Sequence, residues 1–242
     1  MADYPQLKII ALVATAIAHH YSIISPVPPV DEKERLSSGQ GKTFEYAMPL
    51  LRFISESLVI WGVLSEITAI AVVGFPNTTF ISQGTYAALC PNPIHKTPQL
   101  LSINIVFGLG VLLAVCGTAL RLWCFRVLGR LFTSQVSLRP SHTLVQEAPY
   151  NFVRHPSYTG MMLHDIGIVM VHFSPNGWDR ECGIMYTLAG PCIALWMVCM
   201  VYIFFSLWKR TAAEDELLKG KFGPVWEQYA RDVPWKLFPY IT

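Results

Sequence analysis

The chain has 242 residues, of which 52% are hydrophobic and only 14% are charged, against about 25% charged residues in an ordinary soluble domain. The formal net charge is only +2, which argues against a nucleic-acid-binding protein. An integral membrane protein is the class that remains, provided that the apolar residues are contiguous along the chain.

Four apolar stretches are long enough to cross a bilayer as helices, because a span needs about 20 residues. In chain order they are Ile9 to Val30, Leu50 to Gly74, Thr97 to Leu120 and Gly183 to Trp208. Pro26 and the prolines after it are expected to end the first helix near Ile24. The second stretch contains Glu56 and Glu66, which we expect to face other helices or water, since charges are costly in lipid.

A fifth candidate, Ser157 to Phe173, is shorter and contains His164 and Asp165. It fits either a short span or a re-entrant helix packed on its neighbours. We predict five spans, the last two of which form a helical hairpin around Ser174 to Cys182. The predicted fold is therefore all-α, a polytopic membrane helix bundle with a cytoplasmic cofactor pocket.

The distribution of basic residues supports this topology. With the amino terminus in the lumen, 15 of the 18 Lys and Arg residues fall on the cytoplasmic side, as the positive-inside rule expects. An alternative is that the first span is a cleaved signal peptide, because Ala14-Thr15-Ala16 has the small residues of a cleavage site.

The six cysteines contain no C-x-x-C pair, so the sequence does not support a zinc site. Cys90 and Cys182 both fall in predicted lumenal loops, where they can pair as a disulfide. Most of the unusual polar residues instead lie in two cytoplasmic segments, Arg121 to His155 and Lys209 to Thr242. That concentration predicts a site.

The first segment ends immediately before a predicted span. Pro156 suits the first turn of a helix, and the free N–H groups of that turn form an anion site beside His155. In the second segment, Arg210 and Glu214 are spaced four apart on one helix face. The alternative is structural, with Arg154 and His155 as an interfacial cap and Arg210 with Glu214 as an exposed salt bridge.

A larger set of motifs occurs in the second half of the chain. These are Gly129 to Thr133, His142 to Val145, Pro149-Tyr150, Arg154 to Gly160, Arg210, Glu214-Asp215, Phe222-Gly223, Tyr229 and Val233-Pro234. In order and spacing they resemble the isoprenylcysteine carboxyl methyltransferase family. We therefore divide the chain into residues 1–99, with N-terminal transmembrane helices and loops, and residues 100–242, with the methyltransferase core and a cytoplasmic tail.

The resemblance implies a multi-pass enzyme of the endoplasmic reticulum membrane that acts in CaaX processing, with its active site facing the cytosol. It would use S-adenosyl-L-methionine to methylate the C-terminal carboxylate of prenylated proteins, with no metal and no nucleic acid. By position, the cofactor-binding residues would be Gln135, His142, Thr143, Leu144, Val145, Tyr150, His155, Pro156, Ser157, Tyr158 and Glu214. Arg210 and Glu214 would be the catalytic residues, and Arg210 would bind the substrate. His142 suits a local cap equally well.

The chain departs from the family pattern at two positions. Asp215 stands where the family usually has Glu, and Trp226 stands where it usually has Tyr, so the contacts that these two positions would make are in doubt. The aromatic segment Phe222 to Ile241 is expected to cover the pocket at the membrane interface. Three alternatives stay open: a phospholipid methyltransferase, an oxidoreductase related to sterol reductases, which the tail also resembles, and a membrane protein without enzymatic activity.

Overall fold

The computed structural model describes residues 4–27, 40–76, 83–93, 99–132 and 143–240, apart from the side chains of 40–44 and 83. All regular elements of these residues are helical, in agreement with the predicted all-α fold. The α-helices are α1 (Pro5–Ile23), α2 (Gln40–Gly74), α3 (Gln83–Leu89), α4 (Ile105–Leu128), α5 (Pro156–His172), α6 (Trp178–Glu181), α7 (Gly190–Phe222) and α8 (Pro224–Asp232). Short 3-10 turns occupy Gln99–Leu101, Gly129–Leu131 and Ile184–Tyr186.

Within the described part of the chain, three helical segments are long and apolar enough to cross a membrane. They are Glu45–Gly74, Ile105–Leu131 and Gly190–Phe222. The two other predicted spans form helices close to their expected places, as α1 with 19 residues and α5 with 17 residues. The five long helices therefore exist, while a total of five membrane spans stays a prediction.

Helix α7 differs from its predicted bounds at both ends. It begins at Gly190 rather than Gly183 and continues past Trp208 to Phe222, because good helix formers such as Ala and Leu follow the apolar stretch. It ends where Gly223 adopts a φ of +51°, a conformation that favours glycine. The predicted hairpin connection contains the short helix α6.

Close packing of α4 on α5 sets the frame of the bundle. A methyl group added at Gly117 of α4 would lie 2.5 Å from the carbonyl oxygen of Gly160 on α5, and one added at Gly167 would lie 2.4 Å from the backbone nitrogen of Ala114. Small residues at this spacing let two membrane helices approach backbone to backbone. This contact places Ser157 of α5 beside Arg121 of α4.

The amino-terminal end of α1 is joined by buried polar contacts to α2 and to the segments that contain Leu100 and Asn176. The Lys8 ammonium lies 2.8 Å from the Glu66 carboxylate, with both side chains 1% exposed, and it donates to the carbonyl oxygens of Leu100 and Asn176. Glu56 pairs with His20 of α1 at 2.6 Å. Both glutamates therefore face another helix, as predicted. The expected disulfide is also present, between Cys90 and Cys182.

Candidate functional site

A cavity of about 240 Å³ opens between α2, α4, α5, α7 and the carboxyl-terminal segment. Most of the site residues predicted from the sequence line it. They are Thr143, Leu144, Val145, Tyr150, His155, Ser157, Tyr158, Arg210 and Glu214. Side chains that are up to 71 residues apart in the sequence thus line one cavity.

Three predicted residues stand apart from this set. Gln135 and His142 lie outside the described residues, so their predicted roles are not addressed by the structure. Pro156 is buried as the first residue of α5 but does not line the cavity. Its position there fixes where α5 begins, which in turn sets the directions of Ser157 and Tyr158.

Glu214 lies at the centre of the site. Its carboxylate accepts a hydrogen bond from the Tyr158 hydroxyl and another from Nε of Arg210 at 3.0 Å. Nδ1 of His155 lies 3.5 Å from its other oxygen. The four-residue spacing of Arg210 and Glu214 therefore does form the salt bridge of the structural alternative, but this pair faces the cavity, and the Arg210 side chain is only 9% exposed.

Asp215 ties the site to the carboxyl-terminal segment. It accepts from Nε2 of His155 at 3.0 Å and from Nη2 of Arg154 at 3.1 Å, and Lys236 approaches it to 3.9 Å. The shorter Asp at this position thus does make site contacts, which the comparison with the family pattern left in doubt. Trp226 is buried as well. The guanidinium carbon of Arg154 lies over the Trp226 ring, 6.0 Å from the ring centre.

The segment after α8 is bonded to the entrance of α5. The N–H groups of Arg154 and His155 donate to the carbonyl oxygens of Trp235 and Lys236 at 2.9 and 2.8 Å. The Arg154 side chain also donates to the carbonyl oxygens of Val233 and Pro234, each at 2.8 Å. The tail therefore packs against the start of α5, and Tyr229 from the aromatic segment lines the cavity. A cover over the pocket at the membrane interface stays a prediction.

His155 is held between two carboxylates. Burial by itself lowers the pKa of a histidine, but the hydrogen bonds from this ring to Asp215 and Glu214 outweigh it and raise the pKa of His155 above its usual value. The ring stacks on Tyr158 with centres 5.9 Å apart. A protonated His155 can donate from both ring nitrogens, so it positions the two acidic residues of α7.

One end of the cavity has a flat aromatic wall beside the loop of residues 143–146. Tyr150 is 9% exposed, and burial raises its pKa well above the usual range. Tyr229 of α8 donates to the carbonyl oxygen of Tyr150 at 2.8 Å, and burial raises the pKa of Tyr229 to about 12. Both phenols therefore stay neutral, and they supply ring surface rather than charge.

Two further cavity residues with ionisable side chains lie on the α4–α5 side. Arg121 donates to the Ser22 carbonyl oxygen at 2.6 Å and to the Ser157 hydroxyl at 2.9 Å, and Asp165 lines the same wall. In the sequence Arg121 was noted only as a basic residue near a span, because nothing in the local pattern indicates that it turns inward. We call the wall of Arg121, Ser157 and Asp165 the polar wall.

Glu45 of α2 is the site residue that the sequence did not indicate at all. Its carboxylate lies 3.8 Å from Nη1 of Arg210, and the two side chains are 4% and 9% exposed. The two residues are 165 positions apart, so no local motif could link them. Arg210 is thus flanked by two carboxylates, those of Glu45 and Glu214. Among the described residues, no group of three His, Cys, Asp or Glu side chains could hold a metal ion.

Comparison with known proteins identifies relatives of the region that forms this site. The model of the isoprenylcysteine carboxyl methyltransferase family matches residues 110–219. The chain is 28% identical over 131 residues to protein-S-isoprenylcysteine O-methyltransferase B of Arabidopsis thaliana, across 53% of this chain and 57% of that protein. It is 32% identical over 146 residues to the Mus musculus protein-S-isoprenylcysteine O-methyltransferase, across 60% of this chain and 45% of that protein.

A third relative, protein-S-isoprenylcysteine O-methyltransferase A of Arabidopsis thaliana, is 25% identical over 189 residues, across 73% of this chain and 87% of that protein. The chain thus spans about half the length of the first two relatives and most of the third. No solved structure matches the chain. Through residues 110–219, which include His155, Arg210 and Glu214, the chain is similar to the isoprenylcysteine carboxyl methyltransferase family.

Proposed function

We propose that this protein methylates the carboxylate of a C-terminal prenylated cysteine, with S-adenosylmethionine as methyl donor, at the cytosolic edge of the endoplasmic reticulum membrane. The observation that carries the proposal is the cluster of Tyr158, Glu214 and Arg210 at one end of a cavity whose α2–α7 side is largely apolar. The names of the curated relatives favour carboxyl methylation over the phospholipid and sterol-reductase alternatives.

The side chains of the site fit S-adenosylmethionine. Glu214 offers a carboxylate for the ammonium group of the cofactor, and Tyr158 and His155 hold that carboxylate in place. Leu144 and Tyr150 line the same cavity and give apolar and flat surfaces for an adenine ring. When bound, the cofactor supplies a methyl group activated by a positively charged sulfonium.

Arg210 suits the carboxylate of the substrate. The planar guanidinium group binds carboxylates through a fork of N–H donors, and the substrate carboxylate is ionised at neutral pH, so no general base is needed. Because Glu45 and Glu214 both contact Arg210, its charge is partly balanced. It can therefore orient the attacking oxygen without fully neutralising it.

Two physical effects would accelerate the transfer. A reacting oxygen held in line, roughly 3–3.5 Å from the methyl carbon, avoids much of the entropic cost of bringing two molecules together. Exclusion of water also favours a reaction in which opposite charges cancel. The buried Arg210 side chain and the cavity between apolar helices are suited to both effects.

The apolar side of the cavity suits the prenyl group. Met48 and Leu51 of α2 and Ile203 and Leu207 of α7 line it. A prenyl chain is too apolar to leave the bilayer, so it would enter sideways between helices while the cysteine carboxylate stays at Arg210.

Two substitutions separate the proposed roles. Arg210→Ala should lower kcat/KM for a farnesylcysteine analogue by about 100-fold or more, with cofactor affinity largely retained. Glu214→Ala should instead weaken cofactor binding, measured by calorimetry. Glu216→Ala is the matched control, because Glu216 is an exposed acidic residue on the same turn, and it should behave as wild type. Undiminished activity in both site variants would remove the assigned roles.

A further inference from the structure

Glu45 reaches the site from outside the region that the family model matches. That region, residues 110–219, contains Arg210 and Glu214, whereas Glu45 lies in the second turn of α2. Its carboxylate lies 3.8 Å from Nη1 of Arg210, and both side chains are buried. An acidic residue that neither the motifs nor the matched region includes is therefore part of the environment of Arg210.

The two carboxylates act on Arg210 in different ways. Glu214 accepts a hydrogen bond from Nε of Arg210 at 3.0 Å, which fixes the direction of the guanidinium group. The 3.8 Å between Glu45 and Nη1 is longer than a hydrogen bond of about 3 Å, so Glu45 acts on this atom through its charge. Because the pair is buried, salt screens the interaction only weakly. Glu45 therefore lowers the positive charge that Arg210 presents to a ligand.

Glu45, Arg210, Glu214 and His155 form one connected group, whose charges balance before a substrate binds. The two glutamates carry two negative charges, and Arg210 with protonated His155 carries two positive ones. A substrate carboxylate at Arg210 adds a negative charge close to Glu45, and like charges repel strongly where water is excluded. Without Glu45 the group would carry one net positive charge and would hold the carboxylate more tightly. Glu45 therefore weakens the binding of the ionised substrate.

Methyl transfer removes this repulsion. An oxygen lone pair of the substrate carboxylate forms a bond to the methyl carbon, the carbon–sulfur bond breaks, and its electron pair stays on sulfur. The anionic carboxylate and the cationic sulfonium thus become a neutral ester and a neutral thioether, and no proton moves. Repulsion from Glu45 is greatest with the bound substrate, smaller in the transition state and absent in the ester. An interaction that destabilises the bound substrate more than the transition state raises kcat.

We propose that Glu45 is a positioning residue that acts through Arg210 and speeds methyl transfer by raising the free energy of the bound substrate carboxylate. The inference rests on the proposed function. It gives α2 a part in the chemistry, in addition to the apolar lining that this helix provides. A residue that only joined α2 to α7 would affect a charged and a neutral ligand alike, so the charge of the ligand distinguishes the two roles.

The first test is the kinetics of Glu45→Gln, which removes the charge and keeps the shape of the side chain. With a farnesylcysteine analogue, kcat and KM should both fall, each by about tenfold, the scale on which contacting charged residues couple. Glu45→Asp keeps the charge but withdraws it from Arg210, so both constants should lie between those of wild type and Glu45→Gln. The matched control is Glu56→Gln on the same helix. Glu56 pairs with His20, neither residue lines the cavity, and both constants should stay unchanged.

The second test separates charge from structure. With the demethylated cofactor bound, no transfer occurs, and dissociation constants can be measured by calorimetry. Glu45→Gln should bind the farnesylcysteine carboxylate about tenfold more tightly than wild type does, but it should bind the methyl ester, the neutral product, with unchanged affinity. Binding of the demethylated cofactor itself shows that each variant is folded.

The outcomes separate this inference from the proposed function. Equal dissociation constants of wild type and Glu45→Gln for the carboxylate would overturn the inference, and so would a parallel change for carboxylate and ester, which indicates a structural role. The proposed function stands in both cases. If folded wild-type protein methylates no prenylcysteine at all, the proposed function fails instead. If Glu45→Gln does not fold, the same two dissociation constants of Glu45→Asp decide between the roles.

Discussion

At the scale of single residues, the motif around His155 and the pair Arg210 and Glu214 could be found in the sequence because their spacing is local and their types are chemically distinctive. Contacts over long sequence distances could not. Glu45 precedes an apolar span like many interfacial residues, and only the folded chain shows its approach to Arg210. Asp215 was doubtful by comparison with the family, yet it bonds His155 and Arg154.

The raised pKa of His155 predicts a pH dependence of stability. Because the folded-state pKa lies above the unfolded value of about 6.5, the stabilising contribution is complete below the unfolded value and is lost as pH rises through the folded value. We expect the unfolding temperature in detergent to fall over this alkaline interval.

A variant without the titrating ring gives the control for this prediction. His155→Gln should be less stable at neutral pH, and the part of the pH dependence that comes from His155 should be absent. An identical pH profile for wild type and His155→Gln would show that the imidazole is not the group responsible.

At the scale of elements, apolar length predicted where the long helices lie but not where they end. The end of α7 depends on Gly223 and on helix formers beyond the apolar stretch, which a hydropathy window does not register. The close contact of α4 with α5 was also missed, because glycines inside apolar helices have several possible causes. Their role becomes visible only when Gly117 and Gly160 face each other.

This contact can be tested with two glycines of the same helix. Gly117→Ala forces a methyl group to within 2.5 Å of the Gly160 carbonyl oxygen, and overpacking of this kind costs about 1–3 kcal/mol. An added methyl at Gly108 meets nothing within 4 Å, so Gly108→Ala should leave stability unchanged or slightly raised. Equal unfolding temperatures for the two variants would contradict the role assigned to the α4–α5 contact.

At the scale of the whole molecule, composition and the positions of charges predicted a helical membrane protein with its site at the cytoplasmic edge. The predicted division into residues 1–99 and 100–242 describes where the motifs lie. The cavity nevertheless uses both parts, since Met48, Leu51 and Ser55 of α2 line it. Residues 1–99 contain no recognisable motif. Their contribution to the cavity is mainly apolar lining from α2, and many different sequences can provide such a lining.

The buried pair of Lys8 and Glu66 joins α1 to α2 at the far end of the bundle from the tail. Glu66→Ala would leave the Lys8 ammonium, now 1% exposed, without its counter-charge, and removing one partner of a buried pair costs about 3–5 kcal/mol. The matched control is Glu56→Ala, whose pair with His20 is partly exposed. We expect a large fall in unfolding temperature for the first variant and a small one for the second, and equal effects would contradict this.

The most direct test of the account is a methylation assay with labelled S-adenosylmethionine and purified protein in lipid, offering a farnesylated cysteine analogue and a phospholipid as competing acceptors. The account predicts that the label is recovered as a base-labile methyl ester on the cysteine analogue. Label recovered only in phospholipid, or in neither acceptor when the protein is folded, would contradict it.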